Sequence, residues 1–146
     1  FNVPMGDRLP KRLWDPKCLY RAATLLQNAK LINAPFEITL SGLKGGDLAF
    51  IDPPYPRGAQ HGYGFNRYSP NLFSLRDHRR LGKIVEILDA RGVSLMILLA
   101  HSKKILRCYP SSFPHTKLRS KSLISGKSSA RRLVEEVVLT NYPVGK

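Results

Sequence analysis

The sequence predicts an α/β fold built on two parallel strands, a connecting helix and an antiparallel hairpin near the C-terminal end. Leu48–Ile51 is a short apolar run, expected to form a buried strand, and residues 95–99 are continuously apolar, as a central parallel strand should be. Between them a helix is predicted from a capping box at Ser74 and Asp77 to a stop at Gly92. Its apolar stripe consists of Leu81, Ile84, Val85 and Leu88.

The N-terminal part is predicted to be a basic irregular entry segment, residues 1–14, followed by a helix that begins with Asp15 as N-cap and Pro16 as first residue. This helix should end before Pro35, and Cys18 on it is expected to be a packing residue. Its helically spaced apolar residues are Leu19, Ala22, Ala23, Leu26 and Ala29. Residues 36–40 alternate in polarity, which predicts a strand.

The remaining segments follow from turn residues and patterning. Residues 56–74 form a long loop in which glycines separate aromatic residues, a pattern typical of functional loops. Lys103–Arg107 is predicted to be a short basic helix or turn. Residues 117–124 and 133–142 are predicted to pair as a β-hairpin with a basic tip. We therefore expect one domain over 1–146, with an α/β core over 15–146.

The charge of the chain favours a polyanionic partner. Its 146 residues carry a formal net charge of +14, from 24 Lys and Arg against 10 Asp and Glu. No carboxylate lies between Asp89 and Glu135, whereas basic residues recur through that stretch, which suits a face laid along phosphates. Charge alone does not separate DNA from RNA or from a solvated basic surface.

Other classes of site and setting are disfavoured. No apolar run approaches the ~20 residues of a membrane span, and no signal peptide is visible. The cysteines, Cys18 and Cys108, are far apart, and the four histidines show no metal-ligand spacing. A cytoplasmic setting without a metal site is therefore expected.

A candidate active site lies at Asp52-Pro53-Pro54-Tyr55, directly after the first predicted strand. Ligands of open α/β sheets bind at the carboxyl ends of strands. An aromatic amine is a poor nucleophile, and Asp52 with the Pro53 carbonyl could accept its two N–H groups while Tyr55 stacks on a flipped base. These residues alone fit equally well a capped strand end followed by a proline-rich turn.

Four segments, in order, resemble the DNA adenine methylase (Dam-like) family of adenine-N6 methyltransferases. Asp52-Pro53-Pro54-Tyr55 looks like the catalytic signature of these enzymes, and residues 1–6 are similar to their Asn-Val-Pro-x-Gly segment. Residues 65–81 look like the stretch that follows the signature, and residues 132–142 resemble the closing strand with its Arg, Glu and Asn-Tyr. A serine at position 52 would instead have favoured a cytosine-N4 enzyme.

The resemblance implies a fold, a reaction and a set of site residues. The fold would be part of a Rossmann-like sheet that binds S-adenosylmethionine, with helices on its faces. The reaction would move a methyl group to N6 of a flipped adenine in double-stranded DNA. The catalytic residues would be Asp52, Pro53, Pro54 and Tyr55, with Asp52 and Pro53 also at the cofactor. Weaker candidates for substrate binding are Asn66, Tyr68, Lys121, Lys127 and Arg131.

One family motif does not occur in the chain. The Phe-x-Gly-x-Gly turn that makes the methionine end of the cofactor pocket precedes the Asn-Val-Pro segment in the family, and this sequence has none. The resemblance therefore implies a C-terminal catalytic portion with a complementing N-terminal half. The alternatives left open are a non-catalytic DNA-binding remnant and a basic RNA-binding or ribosome-associated domain.

Overall fold

The computed structural model describes residues 15–55, 73–121 and 133–143. Within these ranges the chain forms four helices and four strands. The helices are α1 (Pro16–Leu26), α2 (Phe36–Ser41), α3 (Leu75–Ala90) and α4 (Lys103–Leu106). The strands are β1 (Leu48–Ile51), β2 (Ser94–Ala100), β3 (His115–Lys121) and β4 (Leu133–Thr140).

The strands form one mixed sheet in the order β1-β2-β4-β3. β1 and β2 are parallel, with Leu48 opposite Ser94, and α3 connects them. β4 is antiparallel to both β2 and β3. The predicted βαβ unit and the α/β class are thereby confirmed. The residues between β3 and β4 lie outside the described ranges, so the predicted hairpin turn stays a prediction.

The core lies between α3 and one face of the sheet. Leu81, Val85 and Leu88 of α3 are buried, as the helical spacing predicted. They pack with the buried residues of the strands, which are Ala49, Leu95, Ile97, Leu99, Val137 and Leu139. The capping box of Ser74 and Asp77 forms, and Gly92 ends the helix region with a φ of +77°. Local signals and the apolar stripe therefore determine this helix together.

The opposite face of the sheet is apolar, and the described residues leave it most exposed on the two outer strands, β1 and β3. We call it the open face; its apolar members are Leu48, Phe50, Met96, Leu98, Leu118 and Val138. Leu48 is 62% exposed and Phe50 is 63% exposed. β1 is also an edge strand, and within the described ranges its outer edge pairs with no other strand. The prediction of a fully buried first strand was therefore wrong, because among these strands and helices only one side of β1 is covered.

Residues 36–40 form helix α2, and the predicted strand was wrong. The spacing Phe36, Ile38, Leu40 fits a strand, but a helix places residues four apart on one face. Leu40 is accordingly buried and Phe36 packs against the core, whereas Ile38 is 64% exposed. Arg80 of α3 bonds to Glu37 and lies 5.3 Å from the centroid of the Phe36 ring. These tertiary contacts to α3 override the alternating pattern.

Helix α1 begins as predicted and ends earlier. Asp15 is the N-cap and accepts a hydrogen bond from the Lys17 backbone N–H at 3.0 Å. The helix ends at Leu26, so Ala29 lies beyond it, and none of its residues is buried. Cys18 is exposed, with its Sγ 3.4 Å from Asp15 Oδ2, so its prediction as a packing residue was wrong. Apolar spacing indicates the helix but does not identify what covers it.

Asn141, from the Asn-Tyr pair of the family resemblance, fastens the start of β2. Its Oδ1 accepts from the Leu95 N–H at 2.8 Å, and its Nδ2 donates to the Val93 carbonyl at 2.8 Å and to Asp89 Oδ1 at 2.7 Å. One side chain therefore joins the end of β4 to the end of α3 and the beginning of β2. These contacts assign Asn141 a structural role, at the end of the sheet opposite the candidate site.

Gly82 is where α3 approaches the segment after α4 most closely. A Cβ placed there would lie 1.8 Å from the Cys108 carbonyl oxygen, which is a backbone atom. Only glycine fits this contact without a displacement of one backbone segment from the other.

We predict that Gly82→Ala lowers the free energy of unfolding by about 1–3 kcal/mol, because the added methyl group would overlap the backbone that packs against the helix. In an open helix position the same change is stabilising by about 1 kcal/mol. Gly42→Ala is the matched control, since nothing lies within 4 Å of its Cβ position and its φ is −82°. Urea unfolding of the three proteins tests this, and equal stability of the Gly82 variant would contradict the contact.

His78 is a buried titratable residue at the start of α3. It is 1% exposed, its Nδ1 lies 2.9 Å from the Tyr109 hydroxyl, and its ring packs edge-on against Phe73. Its Nε2 is buried and has no hydrogen-bond partner among the described residues. Burial lowers the pKa of His78, although the nearby Asp77 charge opposes this. The imidazole is therefore held in its neutral form.

We predict that the chain loses stability as pH falls through about 6.5, the ordinary histidine pKa. Below that pH the unfolded chain binds a proton at His78 that the folded chain resists, so protonation favours unfolding. Urea unfolding between pH 5 and 8 measures the slope. His78→Phe should flatten it, whereas His115→Gln, at an exposed histidine, should leave it intact. An unchanged slope in the His78 variant would rule this residue out as its cause.

Candidate active site at the end of the first strand

The candidate site begins where β1 stops. Ile51 is the last strand residue, and Asp52, Pro53 and Pro54 follow it directly. Neither proline has a backbone N–H, so strand pairing ends here and the backbone is held in a narrow range of φ. Pro53 is buried, whereas Asp52 is exposed. The sequence therefore builds a rigid strand end that presents one carboxylate to solvent.

Tyr55 is held beside this strand end by a residue from the other end of the chain. Its hydroxyl donates a hydrogen bond of 2.7 Å to Glu136 Oε1, and its ring packs against the core. Glu136 lies on β4 opposite Ala100, the last residue of β2. Three strand termini thus meet at one end of the sheet: the carboxyl ends of β1 and β2 and the beginning of β4. Ligands of open α/β sheets bind at the carboxyl ends of the strands.

The pKa values of two groups of the site, Asp52 and Tyr55, are raised. Although Asp52 is exposed, partial desolvation of its carboxyl is the largest cause that raises its pKa, followed by the charge of Glu136. Burial also raises the pKa of the Tyr55 hydroxyl, and the hydrogen bond to Glu136 adds to the effect. Among the described residues, the Asp52 carboxylate accepts no hydrogen bond. Its oxygens can therefore accept N–H groups from a ligand.

Glu135, next to Glu136, takes part in a separate group on the other side of β4. Its Oε2 lies 3.1 Å from His101 Nδ1, and its Oε1 lies 3.3 Å from Arg119 Nε. The His101 hydrogen bond is the main cause that lowers the pKa of Glu135. Alternation along the strand therefore separates two neighbouring carboxylates, one toward Tyr55 and one toward His101.

Exposed basic residues lie on α4 and β3, the elements next to this end of the sheet. α4 begins two residues after the end of β2, and its Lys103 and Lys104 are exposed, as is Arg107 after it. Lys117 and Arg119 of β3 are also exposed. Between Asp89 and Glu135, where the sequence has no carboxylate, these described basic residues are exposed to solvent. Phosphates could therefore reach them.

The described structure does not test the weaker predicted substrate residues. Asn66, Tyr68, Lys127 and Arg131 lie outside the described ranges, so their roles stay predictions. Lys121 is the last residue of β3 and pairs with Leu133. The Gly-rich loop after Tyr55 and the first 14 residues also lie outside those ranges.

Sequence reasoning missed Glu136 as a member of the site. It noted the carboxylates of residues 132–142 only as part of the family's closing strand. A signal was present, because adjacent carboxylates on an otherwise apolar strand must point to opposite sides of the sheet. Which of them meets Tyr55 depends on strand register, and the sequence does not specify it.

The described residues form neither a metal-binding cluster nor a membrane-spanning helix. Within those ranges no three or more His, Cys, Asp or Glu side chains are arranged to hold a metal ion. None of the described helices has the length and apolar character needed to cross a membrane.

Comparison with known proteins bears on the same residues. The chain matches the D12 class of N6 adenine-specific DNA methyltransferases over residues 1–124, which include β1 and the Asp52–Tyr55 segment. It is 28% identical to the Type II methyltransferase M1.LlaDCHI of Lactococcus lactis subsp. cremoris, over 97% of the chain and 50% of that protein. It is 26% identical to the DNA adenine methylase of Escherichia coli strain K12, over 98% of the chain and 50% of that protein.

A further relative is the Type II methyltransferase M.MjaIII of Methanocaldococcus jannaschii, 28% identical over 97% of the chain and 49% of that protein. The chain therefore spans about half the length of the curated relatives it matches. The four-stranded mixed sheet is consistent with a methyltransferase fold. Because the family match covers most of the sequence, the chain belongs to the D12 class of N6 adenine-specific DNA methyltransferases.

Proposed function

We propose that the chain is the catalytic portion of an enzyme that methylates N6 of adenine in DNA, with S-adenosylmethionine as methyl donor. The observation that carries the proposal is the exposed Asp52 carboxylate at the rigid end of β1, with Tyr55 held beside it. Family membership supplies the reaction class, and this geometry supplies residues suited to it.

The chemistry of Asp52 suits an amine whose lone pair is delocalised into a base. One N–H of the adenine amino group would be donated to Asp52 and the other to the Pro53 carbonyl. These acceptors stabilise the positive charge that develops on nitrogen as the new N–C bond forms. Prolines on both sides of that carbonyl hold it in place before the substrate arrives, so little reorganisation is needed. Tyr55 would stack on the flipped base.

DNA is proposed as the substrate on the basis of charge as well as family. The exposed cations of α4 and β3 could contact phosphates on both sides of a flipped nucleotide. Such contacts set orientation and affinity, and they carry no sequence information by themselves. A cytoplasmic location is part of this proposal.

The methyl donor is only partly accounted for by this chain. S-adenosylmethionine would supply a methyl group that is bound to a positively charged sulfur. The Asp52 carboxylate and the Pro53 carbonyl are suited to the part of the site nearest that positive charge. The sequence contains no Phe-x-Gly-x-Gly turn to hold the methionine end.

We further propose that a complementary N-terminal segment covers the open face and the free edge of β1. Leu48 and Phe50 expose most of their side chains there, although isolated apolar patches of this kind are usually covered in stable domains. The relatives are about twice as long as the matched region, so they contain enough chain for such a segment. The added strand and helices would complete a Rossmann-like sheet, with β3 and β4 as its closing hairpin.

A non-catalytic DNA-binding remnant is the second candidate. The observation behind it is the set of exposed cations on α4 and β3, which suits phosphates whether or not a methyl group is transferred. The two candidates differ in one measurable property, because the remnant would bind DNA with a steep salt dependence and would transfer no methyl group in any assembly.

We predict that Asp52→Asn in the assembled enzyme lowers methyl transfer about 10²–10³-fold, since the amide is a weaker acceptor and carries no charge. DNA binding should be retained, because the phosphate contacts are elsewhere. The assay follows labelled methyl groups into unmethylated DNA, with N6-methyladenine identified after digestion.

Asp47→Asn is the matched control, because Asp47 lies before β1 and bonds to the Lys44 N–H at 2.9 Å. It should retain transfer. Full activity of the Asp52 variant would refute the assignment of Asp52, and DNA binding without transfer by the unaltered assembly would favour the remnant.

We predict that Leu48→Ser combined with Phe50→Ser reduces self-association and dye binding of the isolated chain while changing its unfolding free energy by less than about 1 kcal/mol. The side chains removed are exposed in the chain alone, so little core packing is lost. Ile97→Ser on the covered face is the control and should unfold the chain, since Ile97 is fully buried. In the assembled enzyme the double variant should weaken association of the halves. A stability loss equal to that of the control would show that the open face is already packed.

A further inference from the structure

We propose that Glu136 is a positioning residue for the candidate site. Its carboxylate accepts a hydrogen bond from the Tyr55 hydroxyl and so holds the Tyr55 ring in place at the carboxyl end of β2. The inference rests on the proposed function for its catalytic meaning. The contact itself can be measured without any activity.

The first support is the geometry of the contact. The hydroxyl of Tyr55 and Glu136 Oε1 are 2.7 Å apart, although the residues are 81 positions apart in sequence. A hydrogen bond to an ionised carboxylate is shorter and stronger than one between neutral groups. The aromatic body of Tyr55 packs against the core at the same time. Its ring is therefore restrained at both ends, as a stacking platform requires.

The second support is the rigid placement of Glu136. Glu136 pairs with Ala100 in the antiparallel ladder between β4 and β2, and its neighbour Val137 is fully buried. The backbone that carries the carboxylate is therefore part of the central sheet. Tyr55, in contrast, follows two prolines at a strand end, so its bond to Glu136 ties the catalytic segment to that sheet.

The third support is the charge of Glu136. Its carboxylate is a cause of the raised pKa of Asp52, second to burial. A charged group near a catalytic carboxylate is costly unless something compensates for it, and the hydrogen bond from Tyr55 does so. Glu136 is expected to keep Asp52 more basic than an isolated aspartate. Asp52 would then hold the amine protons more strongly.

The contact can be tested directly in the chain by NMR titration of tyrosines labelled at the ring carbon that bears the hydroxyl, with Tyr55 assigned through Tyr55→Phe. Tyr55 should titrate well above an ordinary tyrosine. Glu136→Ala should lower its pKa, and Glu136→Gln should lower it less, because glutamine still accepts the hydrogen bond. Glu135→Ala, on the opposite side of the same strand, should leave Tyr55 unchanged.

The positioning role can be tested in the assembled enzyme by a double-mutant cycle. Tyr55→Phe and Glu136→Ala should each reduce kcat for methyl transfer about ten- to hundredfold, the effect of losing one hydrogen bond to a charged group. The double variant should be no slower than the slower single variant, because both changes remove the same contact. Glu136→Gln should restore most of the rate. It should also move the acid limb of the pH profile to lower pH, since the charge that raises the pKa of Asp52 is gone.

Each negative result has its own meaning. A Tyr55 titration that does not respond to Glu136→Ala, or that responds equally to Glu135→Ala, would overturn the contact whatever the activity. Fully additive losses in the cycle would overturn the positioning role while leaving the contact intact. An assembly that transfers no methyl group would refute the proposed function, and the titration would still decide whether Glu136 holds Tyr55.

Discussion

The parallel pairing of β1 with β2 is the constraint on which the candidate site depends. A parallel pair needs a crossover, and α3 provides it while covering one face of the sheet. Because the strands run in the same direction, Asp52 after β1 and His101 after β2 emerge at the same edge. The antiparallel β4 begins at that edge, so it brings Glu136 to Tyr55. Topology assembles the site from three distant parts of the chain.

The hydrogen bonds of Asn141 and the candidate site lie at opposite ends of this sheet. At the end where β2 starts, Asn141 bonds to the backbone of Val93 and Leu95 and to the Asp89 side chain. At the end where β2 stops, the Asp52 carboxylate is exposed and its pKa is raised. This division is expected of an α/β site, because groups that must bind a ligand cannot be fully satisfied by the protein itself.

The open face explains why family membership and activity are separate matters for this chain. A sheet of this class normally has both faces covered, and here the described residues cover one. The relatives contain about as much additional sequence as the chain itself. In the proposed function, the acceptors of the adenine amine lie on Asp52 and Pro53, and the binding of the methyl donor depends on the segment that completes the sheet.

The sequence by itself determined the local elements with strong internal signals. Three of these elements could be predicted because each depends on residues close together in sequence. They are the capping box with the apolar stripe of α3, the start of α1 at Asp15, and the Pro-Pro end of β1. The role of Asp52 in the reaction stays a prediction, because the residues of its segment alone also fit a capped strand end. Only the tertiary structure decided that residues 36–40 are helical, that one side of β1 is exposed, and that Glu136 rather than Glu135 meets Tyr55. Those outcomes depend on packing partners and strand register, which are set by contacts between residues far apart in the chain.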